Sequence, residues 1–471
     1  MAMERLSRGV LGLKESYAQA MAVTAPLGSV VSTTSAAVEY AGGSVVIATV
    51  LALIASAMWI YTLTRYSDKV ASAGGFYSFS SVAWGVKEVS FFEAVTELFA
   101  YVLLNAVNVL TVVVIVRVVG SLVGFIVPQW LLWVAALAAV AYPSLISLTN
   151  IRKLLGYVVT ISATAEVVLL FSLFGVAVFT GGLQLSRLFD AHVSTQGLAT
   201  AFILSVVSIS GAGTATYLGE ESRSPTSTVS KGMWLALALG GTAMFLGTYA
   251  LVALWGPSLG GLSSAQQPLL IEAEKIGPVA FTLVTALAIN SLLASNVGTT
   301  VASSRILFNL ARENSAISVF RKLSKSSEPV IATLTVGIIT AAIGVITALY
   351  EGFQQAFLDI SVISSLFWIV GRIVDGVGVP VFLSRISSLT VGGVTIPLLV
   401  TGLNMWGLFT TFTSFDVVQW ALMSMLIGSV LLWYVGWGRT GEAGSLLVDA
   451  EGNLVRREEL VERLRRSSLK T

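Results

Sequence analysis

Thr24-Ala25-Pro26-Leu27-Gly28-Ser29 breaks one apolar stretch of the chain near its middle, and Ser208-Ile209-Ser210-Gly211-Ala212-Gly213-Thr214 breaks another. A helix in a bilayer satisfies its own backbone N–H and C=O groups. A non-helical break at membrane depth therefore persists only where protein or a water-filled cavity supplies the partners. Two such breaks in corresponding positions of two halves point to a substrate site between discontinuous transmembrane helices.

Composition agrees with a bilayer as solvent. Of 471 residues, 55% are hydrophobic and 11% charged, and the mean hydropathy is +0.86. No soluble domain of this length needs so much apolar surface. The charges gather in short segments between long uncharged runs. A net charge of +2 leaves no nucleic-acid footprint. The absence of cysteine excludes disulfides and thiolate metal sites, and one histidine, His192, leaves no imidazole-based metal cluster.

At roughly 20 apolar residues per crossing, about twelve segments qualify: 16–39, 44–64, 91–124, 129–147, 154–180, 197–219, 232–256, 278–308, 330–350, 354–383, 391–413 and 416–437. The third is too long for a straight crossing and implies tilt. Lysines and arginines from Arg5, Arg8 and Lys14 to Arg321, Lys322 and Arg385 fall on one side, against Arg187 and Lys275 on the other. By the positive-inside rule both termini face the cytoplasm. The expected fold is an all-α, multi-pass membrane protein. A broken span, an ordinary one, a long one and two more recur as a unit, first over 16–180 and then over 197–383. An odd number of spans inverts the second unit relative to the first. Residues 391–437 add two spans. Residues 1–15 form a retained N-terminal segment, and 438–471 a soluble, solvated tail.

Three connecting segments carry further signals. Ser72-Ala73-Gly74-Gly75-Phe76-Tyr77-Ser78-Phe79 allows a tight turn into a short interfacial helix. The outer loop from Leu259 to Gly277 suits a partly helical lid. In the tail, Leu446 to Val455 has the pattern of a hairpin, and Glu458 to Arg466 that of a charged helix.

Four motifs in order on these spans resemble the amino acid–polyamine–organocation (APC) superfamily of transporters, across nearly all of the first ten spans. Gly28-Ser29 matches most of that family's Gly-Ser-Gly motif. Gly74-Gly75-Phe76-Tyr77 matches its inner Gly-Gly-x-Tyr loop. Gly219-Glu220-Glu221-Ser222-Arg223-Ser224-Pro225 is similar to its acidic segment ending in Asn-Pro. Ser303-Ser304-Arg305-Ile306-Leu307-Phe308-Asn309-Leu310-Ala311-Arg312-Glu313 matches the end of its eighth span. The resemblance implies a LeuT-like five-plus-five inverted repeat with discontinuous helices 1 and 6, and alternating access. Val30 stands where the family has the third glycine, and Ser224 where it has asparagine.

Backbone groups at the breaks are the expected substrate contacts. Amides near Gly28 and Ser29, flanked by Ala25, Pro26 and Leu27, and near Gly211 and Gly213, suit a carboxylate. Carbonyls near Val23 and Ser208, with Ile209 and Ser210 beside them, suit an ammonium group. The alternative for each glycine alone is close helix packing. On the third span, Tyr101, Asn105 and Asn108 should face the bundle; the resemblance places Asn105 at a substrate-contacting register, and the alternative is an interhelical hydrogen bond. Glu166 is an intramembrane carboxylate and a functional candidate by default. The resemblance implies a lysine at this register in some relatives, standing in for a sodium ion. Ser295, Asn296, Thr299 and Thr300 offer oxygens to a hard cation and, by the resemblance, face spans one and five. Arg372 and Asp375 share a helix face and can pair, as a gate or a static pair. Glu93 and Glu97 can pair with Arg65 or Lys69. Asp359, Ser361, Ser364 and Ser365 suit the outer vestibule, and Arg117 can snorkel outward.

These features read as a secondary active transporter of amino acids in the plasma membrane, coupled to H+ or Na+ by alternating access. No acid lies on the pocket side of the second break, which favours a neutral substrate. No cofactor, no resident metal beyond a Na+ ion and no nucleic acid is called for; the partners are an amino acid and the lipid bilayer. Polyamines, organic cations and nucleobases are alternatives on the same fold. A membrane sensor or embedded enzyme is the alternative from another class, but no His-Glu-x-x-His motif occurs, and a tail of about thirty residues is too short for a signalling domain.

Overall fold

Proline 26 has no N–H to give and restricts the residue before it. The first helix, α1 (Leu13–Thr24), stops there. Ala25 turns left-handed (φ 39°, ψ 68°), and α2 (Pro26–Val31) starts on the proline, where a missing N–H does no harm. Beyond Ser32 lies α3 (Thr33–Ala41). The computed structural model describes residues 6–155, 160–184, 186, 193–256 and 258–468. Arg5, Arg187 and His192 lie outside them.

Gly42, at φ 51°, turns the chain toward α4 (Val45–Ser67). Then follow α5 (Phe76–Trp84), α6 (Lys87–Leu122), α7 (Gln129–Ile146), the short α8 (Ile151–Lys153) and α9 (Thr160–Gly181). The second half begins with α10 (Thr195–Ile209), which runs into a 3₁₀ segment, Ser210–Glu221. It continues through α11 (Pro225–Ala236), α12 (Thr242–Trp255), α13 (Pro268–Ile276), α14 (Pro278–Arg312), α15 (Val330–Glu351) and α16 (Phe353–Arg385). The last two long helices are α17 (Val391–Phe412) and α18 (Val417–Trp433). The tail folds as β1 (Leu446–Val448), β2 (Leu454–Arg456) and α19 (Arg457–Ser468).

Eleven helical stretches among the described residues are long and apolar enough to cross a membrane. The protein is an all-α, multi-pass membrane protein. α1 and α2 belong to none of the eleven, because α3 runs on into α4 as Thr33–Ser67. A count of twelve takes α1, α2 and α3 as one broken span. The core is made by α6, the Thr195–Glu221 stretch and α16, whose most apolar windows are 78%, 94% and 83% buried. The corresponding figures for α7, α9 and Val417–Gly438 are 28%, 28% and 22%. These peripheral helices present Trp130, Phe179 and Val417 outward, as a lipid-facing ring requires.

Three expectations are corrected. The second break is a change of helix type, from α to 3₁₀, rather than a loss of helix. Gly211 and Gly213 carry no side chain, and the hydroxyls of Ser210, Thr214 and Thr216 bond to the carbonyls of Val206, Gly211 and Gly213. The helix after Gly74-Gly75 is not interfacial: Phe76 to Ala83 of α5 are all buried, and Tyr66 stacks on Phe79 with ring centroids 5.0 Å apart. The tail is not merely solvated. Leu447 and Val448 are buried, and Val448 exchanges two backbone hydrogen bonds with Ala71, of 2.8 and 3.2 Å. Outside the bundle, α13 makes the Leu259–Gly277 loop partly helical, as expected.

Candidate functional site

The break between α1 and α2 removes the ordinary donors of the last α1 carbonyls. Ser29 Oγ supplies one by donating to Thr24 O (2.7 Å). The amides freed at the start of α2 turn to side chains from elsewhere. Gly28 N donates to Ser291 Oγ (2.8 Å), and Leu27 N points at Glu166 Oε2 (3.4 Å). Ser291 Oγ in turn donates to Glu166 Oε2 (2.5 Å), and Ser162 Oγ to Glu166 Oε1 (3.0 Å). Asn290 Nδ2 donates to Ser162 Oγ (2.5 Å). The protein thus places its own carboxylate at the first break. A substrate carboxylate reaches these amides only by displacing Glu166 and Ser291. Ala25, Pro26, Leu27, Gly28 and Ser29 are all buried.

The two breaks meet. A Cβ on Gly211 would lie 2.5 Å from Thr24 N, 2.6 Å from Val23 C and 2.7 Å from Val23 O, so backbone packs on backbone with room only for hydrogen. Gly213 instead faces the side chains of Leu63 and Phe76, each at 2.9 Å. Ser208 Oγ hydrogen-bonds to Thr33 Oγ1, joining α10 to α3, and Ile209 is core. Ser210 Oγ accepts from Arg372 Nη2.

Tyr101 is brought to this region. Its hydroxyl donates to Tyr217 Oη (3.2 Å), which donates to Glu97 Oε2 (2.6 Å). Asn105 makes interhelical bonds: Nδ2 to Thr300 Oγ1 (3.3 Å), and Oδ1 from Thr299 Oγ1. Asn108 Nδ2 donates to Ser295 Oγ (3.0 Å) and Asn296 Oδ1 (2.9 Å). Ser295, Thr299 and Thr300 therefore face α6, not spans one and five, and do not join Glu166. Helical periodicity is the reason for Thr300, whereas Ser295, one turn from Ser291, is held to α6 by Asn108. Thr300 lies nine residues, about two and a half turns, beyond Ser291, and so on the opposite face. The residues that do surround Glu166, namely Ser162, Asn290 and Ser291, were missed. Their signal was spacing: Ser162 is one turn from Glu166, and Ser291 one turn from Ser295.

Arg372 and Asp375 form no ion pair. Both carboxyl oxygens of Asp375 are without a hydrogen-bond partner, while the guanidinium lies over the Trp59 and Trp368 rings at 5.2 and 5.6 Å. Glu93 and Glu97 do not reach Arg65 or Lys69 either; Glu97 is taken by Tyr217, and Arg65 lies over Tyr61 (4.3 Å). Asp359 accepts from Gln419 Nε2 (2.8 Å), and Arg117 Nη2 donates to Gln266 Oε1 (2.9 Å).

Three of the four sequence motifs converge on the face that carries the terminal segments. Arg305 grips Glu221 through Nε (2.7 Å) and Nη2 (3.0 Å), and Glu328 through Nη2 (3.2 Å). Arg312 grips Glu220 through Nη2 (2.6 Å) and Nη1 (3.0 Å). Tyr77 receives a hydrogen bond from Asn309 Nδ2 (2.6 Å) and gives one to Glu313 Oε2 (3.1 Å). Glu313 also accepts from the tail amides of Gly444 and Leu446, both at 2.9 Å. Burial pushes its carboxyl up to about 7, against the opposing pull of those two amides and of Arg312.

A family model described as amino acid permease matches residues 13–374. The lysine-specific permease LysP of Lactococcus lactis subsp. cremoris is 26% identical over 193 residues, 40% of this chain. The match spans 36% of that relative's length.

Proposed function

The chain belongs to the amino acid permease family, and from that premise we propose a secondary active transporter that carries neutral amino acids across the plasma membrane by alternating access. The family is one of transporters, not enzymes. The observation that carries the reading is the meeting of the two breaks: the Val23–Thr24 backbone against Gly211, within a buried core. A zwitterion bound there separates the end of α1 from the 3₁₀ segment, and its carboxylate competes with Glu166 for the Leu27 and Gly28 amides. Arg372, held on Ser210, repels a cationic side chain. This favours a neutral substrate although one relative is named for lysine.

H+ and Na+ both suit the Glu166 centre as coupling ion. A carboxyl group relaying through Ser291 to the first break takes a proton directly, and as a carboxylate it offers a sodium ion an oxygen ligand. Both termini are assigned to the cytoplasm by the positive-inside pattern. The test is uptake into proteoliposomes across the common amino acids, lysine included, with and without sodium at two pH values. Uptake of neutral amino acids is expected. Preference for lysine overturns the neutral assignment, and no uptake of any amino acid overturns the substrate site.

A further inference from the structure

We propose that Glu93 and Glu97 of α6 and Asp375 of α16 form a proton-binding centre, separate from Glu166, that holds at least two protons in this conformation. Glu93 and Glu97 are one helical turn apart and converge on α16. A Cβ at Gly371 would lie 3.7 Å from Oε1 of each, and Asp375 is one turn beyond Gly371 on the same face. The three acids and Arg372 are 3%, 4%, 0% and 2% exposed. Such burial decides the charge balance. Three carboxylates against one guanidinium leave two negative charges uncompensated in a medium that does not tolerate them.

The hydrogen bonds agree. Both carboxyl oxygens of Glu93 and both of Asp375 have no partner. Ser80, the hydroxyl beside Glu93, donates its proton to Tyr77 O (2.9 Å). The groups facing the centre are Tyr66 of α4, Tyr217 of the 3₁₀ segment, and Tyr101 and Arg372 on α6 and α16 themselves. Tyr66 Oη donates to the backbone carbonyl of Asp375 (3.0 Å), and Tyr101 and Tyr217 form the chain that ends on Glu97. None of these supplies a second positive charge. Among the described residues no three acidic or imidazole side chains converge closely enough to hold a metal ion. The ligand that fits is the proton.

Arg372 reads out the state of this centre. It is three residues from Asp375, within pairing reach on one helix, yet it turns to Ser210 and two indole rings. A neutral aspartate at that spacing leaves the guanidinium free to turn to the hydroxyl and the rings. Loss of the protons draws Arg372 off Ser210 toward the acids and releases the 3₁₀ segment at the second break. Proton occupancy is thereby tied to the substrate region. The protonation stands on the structure alone; its effect on transport rests on the permease reading above.

The experiment is infrared difference spectroscopy of the purified full chain in lipid nanodiscs, titrated with alkali from about pH 6 to about pH 9, following the carbonyl stretch of protonated carboxyl groups. Wild type is expected to show the band at neutral pH and lose it on titration. Asp375→Asn and Glu93→Gln, near-isosteric and checked for folding by elution and melting, should each remove part of it. A wild-type spectrum without the band at neutral pH overturns the proposal with no variant needed, as does a band that both variants retain in full. In proteoliposomes, wild-type uptake should fall on the order of tenfold per pH unit above the titration, and less steeply in Asp375→Asn; equal slopes overturn the link to transport. Protein that shows the band but transports no amino acid refutes the permease reading and leaves the proton centre standing.

Discussion

Replacing Gly211 by alanine tests the meeting of the two breaks directly. The added Cβ would lie 2.5 Å from Thr24 N, against about 3.4 Å for ordinary contact, so the two segments must part by about 0.9 Å. All three nearest atoms are backbone, so no rotamer relieves the clash. Overpacking of this kind costs about 1–3 kcal/mol, and the displaced residues are those beside the Ala25 turn. The same substitution at Gly213 meets the ends of Leu63 and Phe76 at 2.9 Å, which can yield by small side-chain shifts. Gly211→Ala should therefore lower the melting temperature of the purified protein by a few degrees and reduce uptake, while Gly213→Ala has the smaller effect on both. Both measurements are made on the same preparations, melting by tryptophan fluorescence and uptake in proteoliposomes. Equal losses at the two glycines, or an unchanged Gly211→Ala protein, would show that contact between the breaks does not limit either property.

Ser291→Ala deprives Gly28 N of its acceptor and Glu166 of a 2.5 Å donor; stability should fall by about 1–3 kcal/mol, and an unchanged denaturation midpoint refutes the relay. Glu166→Gln should remove the response of uptake to pH where the proton is the coupling ion, and to sodium where sodium is; a variant keeping every response excludes Glu166 from coupling. Arg305→Ala leaves Glu221 and Glu328 buried without their cation and should destabilise by about 3–5 kcal/mol, which a wild-type melting curve contradicts. Stability should fall with rising pH. Glu313 titrates near 7 in the folded protein, above the ordinary value of 4.5, so the folded state binds more protons between those values. The stability it contributes is present at low pH and lost as pH rises through about 7. The denaturation midpoint should be higher at about pH 6 than at about pH 8, and equal midpoints count against this account.

Backbone chemistry was legible in the sequence and side-chain direction was not. Pro26 announces the first break because proline cannot continue a helix whatever packs around it. The spans are legible because lipid asks only for length and apolarity. The second break was visible as glycines, but glycine permits several conformations, so the 3₁₀ winding of Ser210–Glu221 was not legible from them. The sequence assigned Thr299 and Thr300 to the wrong neighbour because about half a turn of phase error on a 35-residue helix swaps α9 for α6. The Arg372–Asp375 pair failed for a different reason. Spacing says which groups can meet, whereas Ser210 and Trp59, far away in sequence, take the guanidinium instead.

Three of the four motifs that carry the family resemblance meet away from the first break. Gly74 to Tyr77, Glu220 and Glu221, and Arg305 to Glu313 form a shared ionic and hydrogen-bonded closure of the face carrying the terminal segments. Removing one partner from a buried pair is severe because the other charge stays behind in apolar surroundings. Opening that face is different, since water enters as the partners separate and both ions are solvated together. Such a closure therefore resists mutation more strongly than it resists movement. That asymmetry is what a face needs if it must seal against leakage and still open in every cycle. Arg305, bonded at once to the 3₁₀ segment through Glu221 and to the start of α15 through Glu328, is where it is most concentrated.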